Sequence, residues 1–147
     1  SDPDRRTEAK PHVLEALRLR PPFPILTREV RRDTLTGVDG EGRVKGGDRY
    51  TVMGIGAMSD PAAMRDPQVY RPGRKFKDER DRHLMFGWGA RQCPGRDPVV
   101  EILSGALLGI VRLPGLRWAS PPWRRVQFDG PIISGMRLSF APAKRNG

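Results

Sequence analysis

FGWGARQCPG, residues 86–95, contains the only cysteine of the chain, Cys93, and the interpretation of the whole sequence starts from it. Phe86, Gly89, Cys93 and Gly95 form the spacing F-x-x-G-x-x-x-C-x-G. Both glycines permit a positive φ and let a flat ligand approach the backbone closely. The alternative is an ordinary buried thiol, because free cysteines usually pack as small hydrophobic residues. This segment by itself leaves both interpretations open.

A helix is predicted directly after this segment, and it bears on the chemistry of the sulfur. Residues 98–111, PVVEILSGALLGIV, have apolar side chains at helical spacing. The free N–H groups and the positive end of such a helix favour a thiolate at Cys93 over a thiol. A thiolate held this way is a strong axial ligand for haem iron. Phe86 is expected to shield the sulfur from water, and Arg91 to offer its guanidinium fork to a haem propionate.

The composition indicates one loop-rich domain. The 147 residues include 17 glycines and 15 prolines, and turns and loops are therefore expected to be abundant. One cysteine excludes an internal disulfide, and two histidines beside it do not complete a set of zinc ligands. The first residues, SDPDRRTEAK, are too polar for a signal peptide, and no apolar run approaches the ~20 residues of a membrane span. We expect a cytoplasmic location, with any membrane anchor outside this chain.

The charge is strongly positive, with 27 Lys and Arg against 17 Asp and Glu and a net charge of +10. Such a balance suits an acidic protein partner, a phosphate-rich ligand or a nucleic acid, and it also fits a merely solvated basic surface. The aromatic residues are not interleaved with the basic ones as they are in RNA-binding sheets. We therefore expect no nucleic-acid partner.

Local patterns predict three kinds of segment in the first half of the chain. Residues 7–20 have helical periodicity, and consecutive prolines end the helix. Residues 25–58 are β-prone in patches that glycines interrupt, which predicts short antiparallel hairpins in a small sheet. Residues 59–82 contain three prolines and dense alternating charge, and an irregular path is expected there.

The second half is predicted to contain a buried helix and a terminal hairpin. Asp97 and Pro98 are start signals for the helix over residues 98–111, whose apolar positions 99, 103, 106, 107 and 110 are expected to be buried. Residues 131–142, PIISGMRLSFAP, are typical of a hairpin that turns around Ser134 and Gly135.

The cysteine segment resembles the haem-binding signature of the cytochrome P-450 family, and three other segments resemble that family in the same order. Glu15 and Arg18, in VLEALRLRPPFP, resemble its E-x-x-R helix and the proline-rich turn that follows. Arg28 occupies the place of the family's arginine that contacts a haem propionate. DPQVYRPGRKF, residues 66–76, is similar to the family's meander, whose arginine, here Arg74, completes a salt-bridged triad with the E-x-x-R pair.

The triad also has a physical rationale. A carboxylate on a helix can be held by one guanidinium at i+3 and by a second from a distant loop, which pins that loop over the helix. The alternative is an exposed helix pair, which would contribute little stability. The sequence departs from the family pattern at Gly73, where an acidic residue is usual, and at Lys75, where an aromatic residue is common and Phe76 follows instead.

The resemblance implies an α+β chain that forms the C-terminal part of the cytochrome P-450 fold, over residues 1–147 as one incomplete domain. The expected order is the E-x-x-R helix, a small antiparallel sheet, an irregular meander, the cysteine loop, a buried helix and a terminal hairpin. The N-terminal two thirds, with the long central helix that delivers protons to dioxygen, are absent from this sequence. The chain alone is therefore not expected to be catalytically competent.

By resemblance, the complete enzyme is a monooxygenase in which haem, ligated by Cys93, oxidises a small apolar substrate with dioxygen. Its expected partners are the remaining N-terminal part and an electron donor, either a ferredoxin or a flavoprotein reductase. A basic face that includes Arg82, Arg91 and Arg96 would receive an acidic donor. The expected substrate-lining residues are Phe23, Ile25, Leu26, Ile133 and Met136, and ordinary core packing is the alternative for each of them.

Two alternatives stay open from the sequence. One is a haem-thiolate enzyme that rearranges hydroperoxides, because QCPGRDPVV resembles that branch of the family, although the cysteine loop carries no insertion. The other is a haem-free interaction or structural remnant, in which Cys93 is a plain buried thiol.

Overall fold

The structure is a computed structural model that describes residues 3–37, 40, 42–76, 83–119, 121, 126–129 and 132–142. Its first element is the helix α1 (Pro3–Leu19). This helix starts four residues earlier than predicted, so Pro11 lies inside it rather than in its first turn. The α1 helix packs against α3 (Arg96–Val111). Ala9 and Val13 of α1 and Val100 of α3 are buried. An ion pair between Lys10 and Glu101 also joins the two helices.

The buried face of α3 differs from the predicted one. Val100 and Ser104 are buried, whereas Val99, Leu103 and Ile110 are 40%, 38% and 42% exposed. The periodicity was sufficient to predict a helix, and α3 starts at Arg96, two residues before the predicted start. The predicted burial of positions 99, 103, 106 and 110 is wrong for this chain, because α1 covers the side of Val100 and Ser104 and leaves those positions exposed.

Ser104 provides a stability prediction at this helix pair. Its side chain is fully buried, and its hydroxyl has no hydrogen-bond partner among the described residues. An unsatisfied buried hydroxyl is destabilising, so Ser104→Ala should raise the free energy of unfolding by about 1 kcal/mol. Urea titration of the chain measures this change. The control Ser139→Ala removes a hydroxyl that accepts a hydrogen bond from Arg117 and should not stabilise the protein. Equal or lower stability of Ser104→Ala would contradict the prediction.

Two antiparallel strand pairs follow α1, as predicted. Strand β1 (Leu26–Glu29) pairs with β4 (Arg49–Val52), and β2 (Thr34–Thr36) pairs with β3 (Gly42–Val44). The inner hairpin is therefore nested between the strands of the outer pair. The end of this region was predicted as strand but forms a short helix, α2 (Gly54–Ala57), because the amide of Met58 bonds back to the carbonyl of Gly54 at 3.0 Å.

The C-terminal strands form two further antiparallel pairs. Strand β5 (Arg117–Trp118) pairs with β8 (Leu138–Ser139), and β6 (Val126–Asp129) pairs with β7 (Ile132–Met136). The predicted turn at Ser134 and Gly135 is wrong, because both residues lie inside β7. Gln127 pairs with Gly135 and Phe128 with Ile133, so Ser134 is the extra residue of a bulge. A Ser-Gly pair is compatible with a bulge as well as with a turn.

The family expectation of a mixed helix and antiparallel-sheet architecture is confirmed. Among the described residues, no helix has the length and apolar character needed to cross a membrane. The cytoplasmic location stays a prediction.

Candidate functional site

Short-range hydrogen bonds shape the cysteine loop, which we define as residues 83–95. Two turns of 3-10 helix, Leu84–Phe86 and Gly89–Arg91, lie within it. The amide of Cys93 donates to the carbonyl of Phe86 at 2.7 Å, which closes the loop. The carbonyl of Cys93 accepts from the amide of Arg96 at 3.3 Å, so the cysteine is joined directly to the start of α3.

Gly87 is the glycine on which the closure of this loop depends, and the spacing around Cys93 did not predict its role. Its φ is +75°, and a Cβ there would lie 2.6 Å from the carbonyl oxygen of Arg91. Gly89 has a φ of +60°, as expected, whereas Gly95 has a φ of −85° and does not need to be glycine for conformational reasons. A Cβ at Gly95 would lie 3.7 Å from the Cys93 sulfur. Gly95 therefore keeps that side of the sulfur clear.

Gly87→Ala and Gly89→Ala make a matched pair of variants in this loop. Both alanines would adopt a left-handed φ, which costs about 1 kcal/mol. Only the alanine at 87 would also collide with backbone, since nothing lies within 4 Å of a Cβ at Gly89. Gly87→Ala should therefore destabilise the protein by about 1–3 kcal/mol more than Gly89→Ala. Urea unfolding of the two variants measures the difference, and equal stabilities would contradict the predicted collision.

Cys93 is exposed, and it forms no disulfide. This exposure does not agree with the alternative of a plain buried thiol. A single exposed thiol fits a porphyrin, which supplies the iron's other ligands itself. Phe86 is half-buried next to the closing hydrogen bond. Arg91 is exposed at the end of the second 3-10 turn, so its guanidinium can reach an anionic group from solvent.

Glu15, Arg18 and Arg74 come together in the interior. Arg18 Nε and Nη2 donate to the two carboxylate oxygens of Glu15 at 2.8 and 2.9 Å. Arg74 Nε donates to Glu15 Oε1 at 3.1 Å, and the backbone amide of Arg71 donates to the same oxygen at 3.1 Å. Arg18 is fully buried, and Glu15 is 2% exposed. The carboxylate is thus satisfied on both oxygens despite its burial.

Both arginines of this cluster also hold backbone carbonyls of distant segments. Arg18 donates to the carbonyls of Met58 and Pro67, each at 2.7 Å. Arg74 donates to the carbonyls of Arg65, Asp66 and Val69. We call Glu15, Arg18 and Arg74 the arginine cluster. It fastens the meander, residues 66–76, to α1.

The environment of Glu15 changes its ionisation. Burial by itself raises the pKa of this carboxyl, but hydrogen bonds from Arg18, from the Arg71 amide and from Arg74, together with the charge of Arg18, outweigh burial. The result is a pKa below the ordinary value of 4.5. The ionised form is therefore the one that the fold stabilises.

This lowered pKa predicts how stability depends on acid. A carboxyl whose pKa is lower in the folded than in the unfolded state contributes stability that is complete above the unfolded pKa and is lost as pH falls through the folded value. We expect Glu15→Gln to be less stable than the wild type at neutral pH but to lose less stability between about pH 5 and pH 3. Free energies of unfolding measured across that range test this. Parallel pH profiles of the two proteins would contradict it.

A second link between α1 and the meander was not predicted from the sequence. His12 Nδ1 lies 3.0 Å from the Tyr70 hydroxyl, and their rings are 6.1 Å apart. Burial and the negative charge of Glu15 raise the pKa of Tyr70. Tyr70 lies in the meander segment and His12 in the predicted helix, but neither had a predicted role, and only their contact in the fold reveals the pair.

The remaining predicted site residues lie on the strands and loops. Arg28 is exposed in β1, where Nη1 donates to the carbonyl of Thr27 at 3.0 Å. Phe23, Ile25, Ile133 and Met136 are 71%, 52%, 50% and 51% exposed. Leu26 is half-buried at the start of β1. Arg82 lies outside the described residues.

Comparison with known proteins agrees with this geometry. The cytochrome P-450 family model matches residues 10–97, more than half of the chain. Strychnine-11-hydroxylase of Strychnos nux-vomica is 30% identical over 149 residues, which cover 97% of this chain and 27% of that protein. Trans-cinnamate 4-monooxygenase of Ruta graveolens is 32% identical over 108 residues, which cover 67% of this chain and 20% of that protein.

A solved structure is similar as well. A mutant of P-450 EryK in complex with erythromycin B matches with a TM-score of 0.74 and 25% identity, over 98% of this chain and 36% of that one. The fold and the cysteine loop are thus those of a haem-thiolate protein, and the chain belongs to the cytochrome P-450 family. Proteins of this family contain iron protoporphyrin ligated by cysteine. The chain spans 19% to 27% of the length of curated relatives that it matches.

Proposed function

We propose that this chain supplies the cysteine side of the haem site in a cytochrome P-450 monooxygenase, with Cys93 as the axial ligand of the iron. The observation that carries the proposal is the position of Cys93, exposed at the end of a hydrogen-bonded loop and joined to the start of α3. The family membership supports haem as the cofactor, and the open sulfur supports Cys93 as the residue that binds it.

The residues of the loop have separate roles in this proposal. Cys93 binds the iron, Phe86 limits the access of water to the sulfur, and Gly89 and Gly95 leave room for the porphyrin. Arg91 and Arg28 hold the haem propionates through charge-assisted hydrogen bonds. When bound, the haem activates dioxygen, so that one oxygen atom can be inserted into an apolar substrate.

Residues away from the sulfur hold the loop and meet the substrate. The arginine cluster fixes the meander on α1, which supports the loop that follows it. Exposed apolar residues on the segment before β1 and on β7 form the substrate side; they are Phe23, Ile25, Ile133 and Met136, with half-buried Leu26 beside them.

The uncovered surface supports the remaining N-terminal part of the enzyme as a partner. On α3 the apolar residues Ile102 and Val111 are 69% and 55% exposed. Apolar exposure of this extent is typical of a surface that another polypeptide covers.

The electron donor is proposed to bind near the cysteine loop. Arg91 is exposed in the second 3-10 turn, and Arg96 begins α3. Two arginines within three residues of Cys93 in the chain would attract an acidic ferredoxin or flavoprotein reductase.

The test is to load the purified chain with haem, alone and with the N-terminal part of a related P-450, and to record the reduced spectrum with carbon monoxide. We expect a strongly red-shifted main band, which reports thiolate ligation, and we expect the added N-terminal part to increase it. Haem binding without that band in either mixture would overturn the proposal.

A further inference from the structure

His83, the first residue of the cysteine loop, has a backbone conformation that is unusual for a residue other than glycine. Its φ is +57°, in the left-handed region, and it is one of two non-glycine residues with positive φ among those that the structure describes. Left-handed conformations cost a non-glycine residue stability unless the surroundings hold them. His83 is nevertheless only 6% exposed, so packing surrounds it.

The imidazole ring packs against the end of the meander. The rings of His83 and Phe76 are 5.4 Å apart at 71°, an edge-to-face arrangement. Both residues line a cavity of about 80 Å³ with Glu15 and Arg74 of the arginine cluster. The side chain of His83 thus lies where the meander, α1 and the cysteine loop meet.

The backbone of His83 leads directly to Cys93. Its carbonyl accepts a hydrogen bond from the amide of Phe86 at 3.0 Å, which forms the first 3-10 turn. The carbonyl of Phe86 then accepts from the amide of Cys93 at 2.7 Å. A change in the conformation of His83 would therefore be transmitted through two hydrogen bonds to the cysteine.

We propose that His83 is a positioning residue for Cys93, whose ring, held against Phe76 beside the arginine cluster, fixes the left-handed start of the cysteine loop. This inference rests on the proposed role of Cys93 as the haem ligand. In this proposal His83 does not bind the haem. It acts through Phe86.

Amide hydrogen exchange of the haem-free chain tests the inference without use of the cofactor. In His83→Ala we expect exchange at the Cys93 and Phe86 amides to become about tenfold faster or more, while the amide of Val100 in α3 keeps its protection. His83→Phe retains an aromatic edge against Phe76 and should restore most of the protection. The matched control is His12→Ala, which removes the other histidine and should leave the loop amides unchanged.

Each outcome decides the inference. Unchanged exchange at Cys93 in His83→Ala would overturn it. If His83→Ala does not fold, His83→Phe is measured instead. Amide exchange at Cys93 that is as slow in His83→Phe as in the wild type then supports the role of the ring. Fast exchange in a folded His83→Phe would overturn that role, since the aromatic contact would then be insufficient.

Spectra of the haem-loaded chain give a separate measurement. We expect His83→Ala to bind haem with a smaller fraction of the red-shifted carbon-monoxide band than the wild type, and His83→Phe to recover it. Absence of this band in the wild type would contradict the proposed haem ligation, whereas the exchange experiment would still decide whether His83 positions Cys93.

Discussion

Cys93→Ala is expected to abolish the red-shifted band of the reduced, carbon-monoxide-bound chain completely. The band reports a thiolate on the iron, and Cys93 is the only cysteine of the sequence. Because Cys93 is exposed, its removal leaves no cavity in the core. The free energy of unfolding of the variant should therefore lie within about 0.5 kcal/mol of the wild-type value. Spectroscopy and urea titration of the same preparation separate loss of the ligand from loss of the fold.

The control for this experiment is His12→Ala, because histidine is the other common axial ligand of haem iron. This variant should retain the whole red-shifted band, since His12 lies on α1 and its ring contacts Tyr70 of the meander. Retention of the band in Cys93→Ala, or its loss in His12→Ala, would rule out the assignment of Cys93.

Glu15→Ala is expected to have the largest effect on stability. It leaves the guanidinium groups of Arg18 and Arg74 buried without their carboxylate, and removal of one partner from a buried ion pair costs about 3–5 kcal/mol. A loss of this size is a large part of the total stability of most domains. Denaturant unfolding, or loss of helical circular dichroism if the variant does not fold, measures it.

Glu8→Ala is the matched control, because Glu8 is an exposed carboxylate on the same helix. Glu8→Ala should change the free energy of unfolding by no more than about 0.5 kcal/mol. Similar stabilities of Glu8→Ala and Glu15→Ala would mean that the arginine cluster does not hold the meander.

The sequence predicted the parts of the structure that depend on a few residues at fixed spacing. Glu15 and Arg18 are one helical turn apart, and a helix alone brings them together. Arg74 could be placed beside them only through the family resemblance, because no local rule links residues 59 positions apart. Helix geometry therefore predicted the position of Arg18, and the order of the family motifs predicted that of Arg74.

Other features depend on packing that a linear pattern does not contain. The apolar side of α3 could be identified, but which side meets α1 depends on the neighbour, and the buried side contains Ser104. Ser134 and Gly135 have the composition of a turn and form a bulge instead, because the strand partner Gln127 sets the register. Gly87 and His83 are important through their φ angles, which composition does not determine.

The arginine cluster has a consequence for the order in which the chain can fold. Arg18 reaches carbonyls 40 and 49 residues further along the chain, and Glu15 is paired 59 residues away. During synthesis, Glu15 and Arg18 can therefore pair with each other, but they lack their distant partners until the meander has left the ribosome. Closing so long a segment costs chain entropy before any contact forms, which slows folding. Early release of the nascent chain would leave those charges exposed to chaperones and proteases.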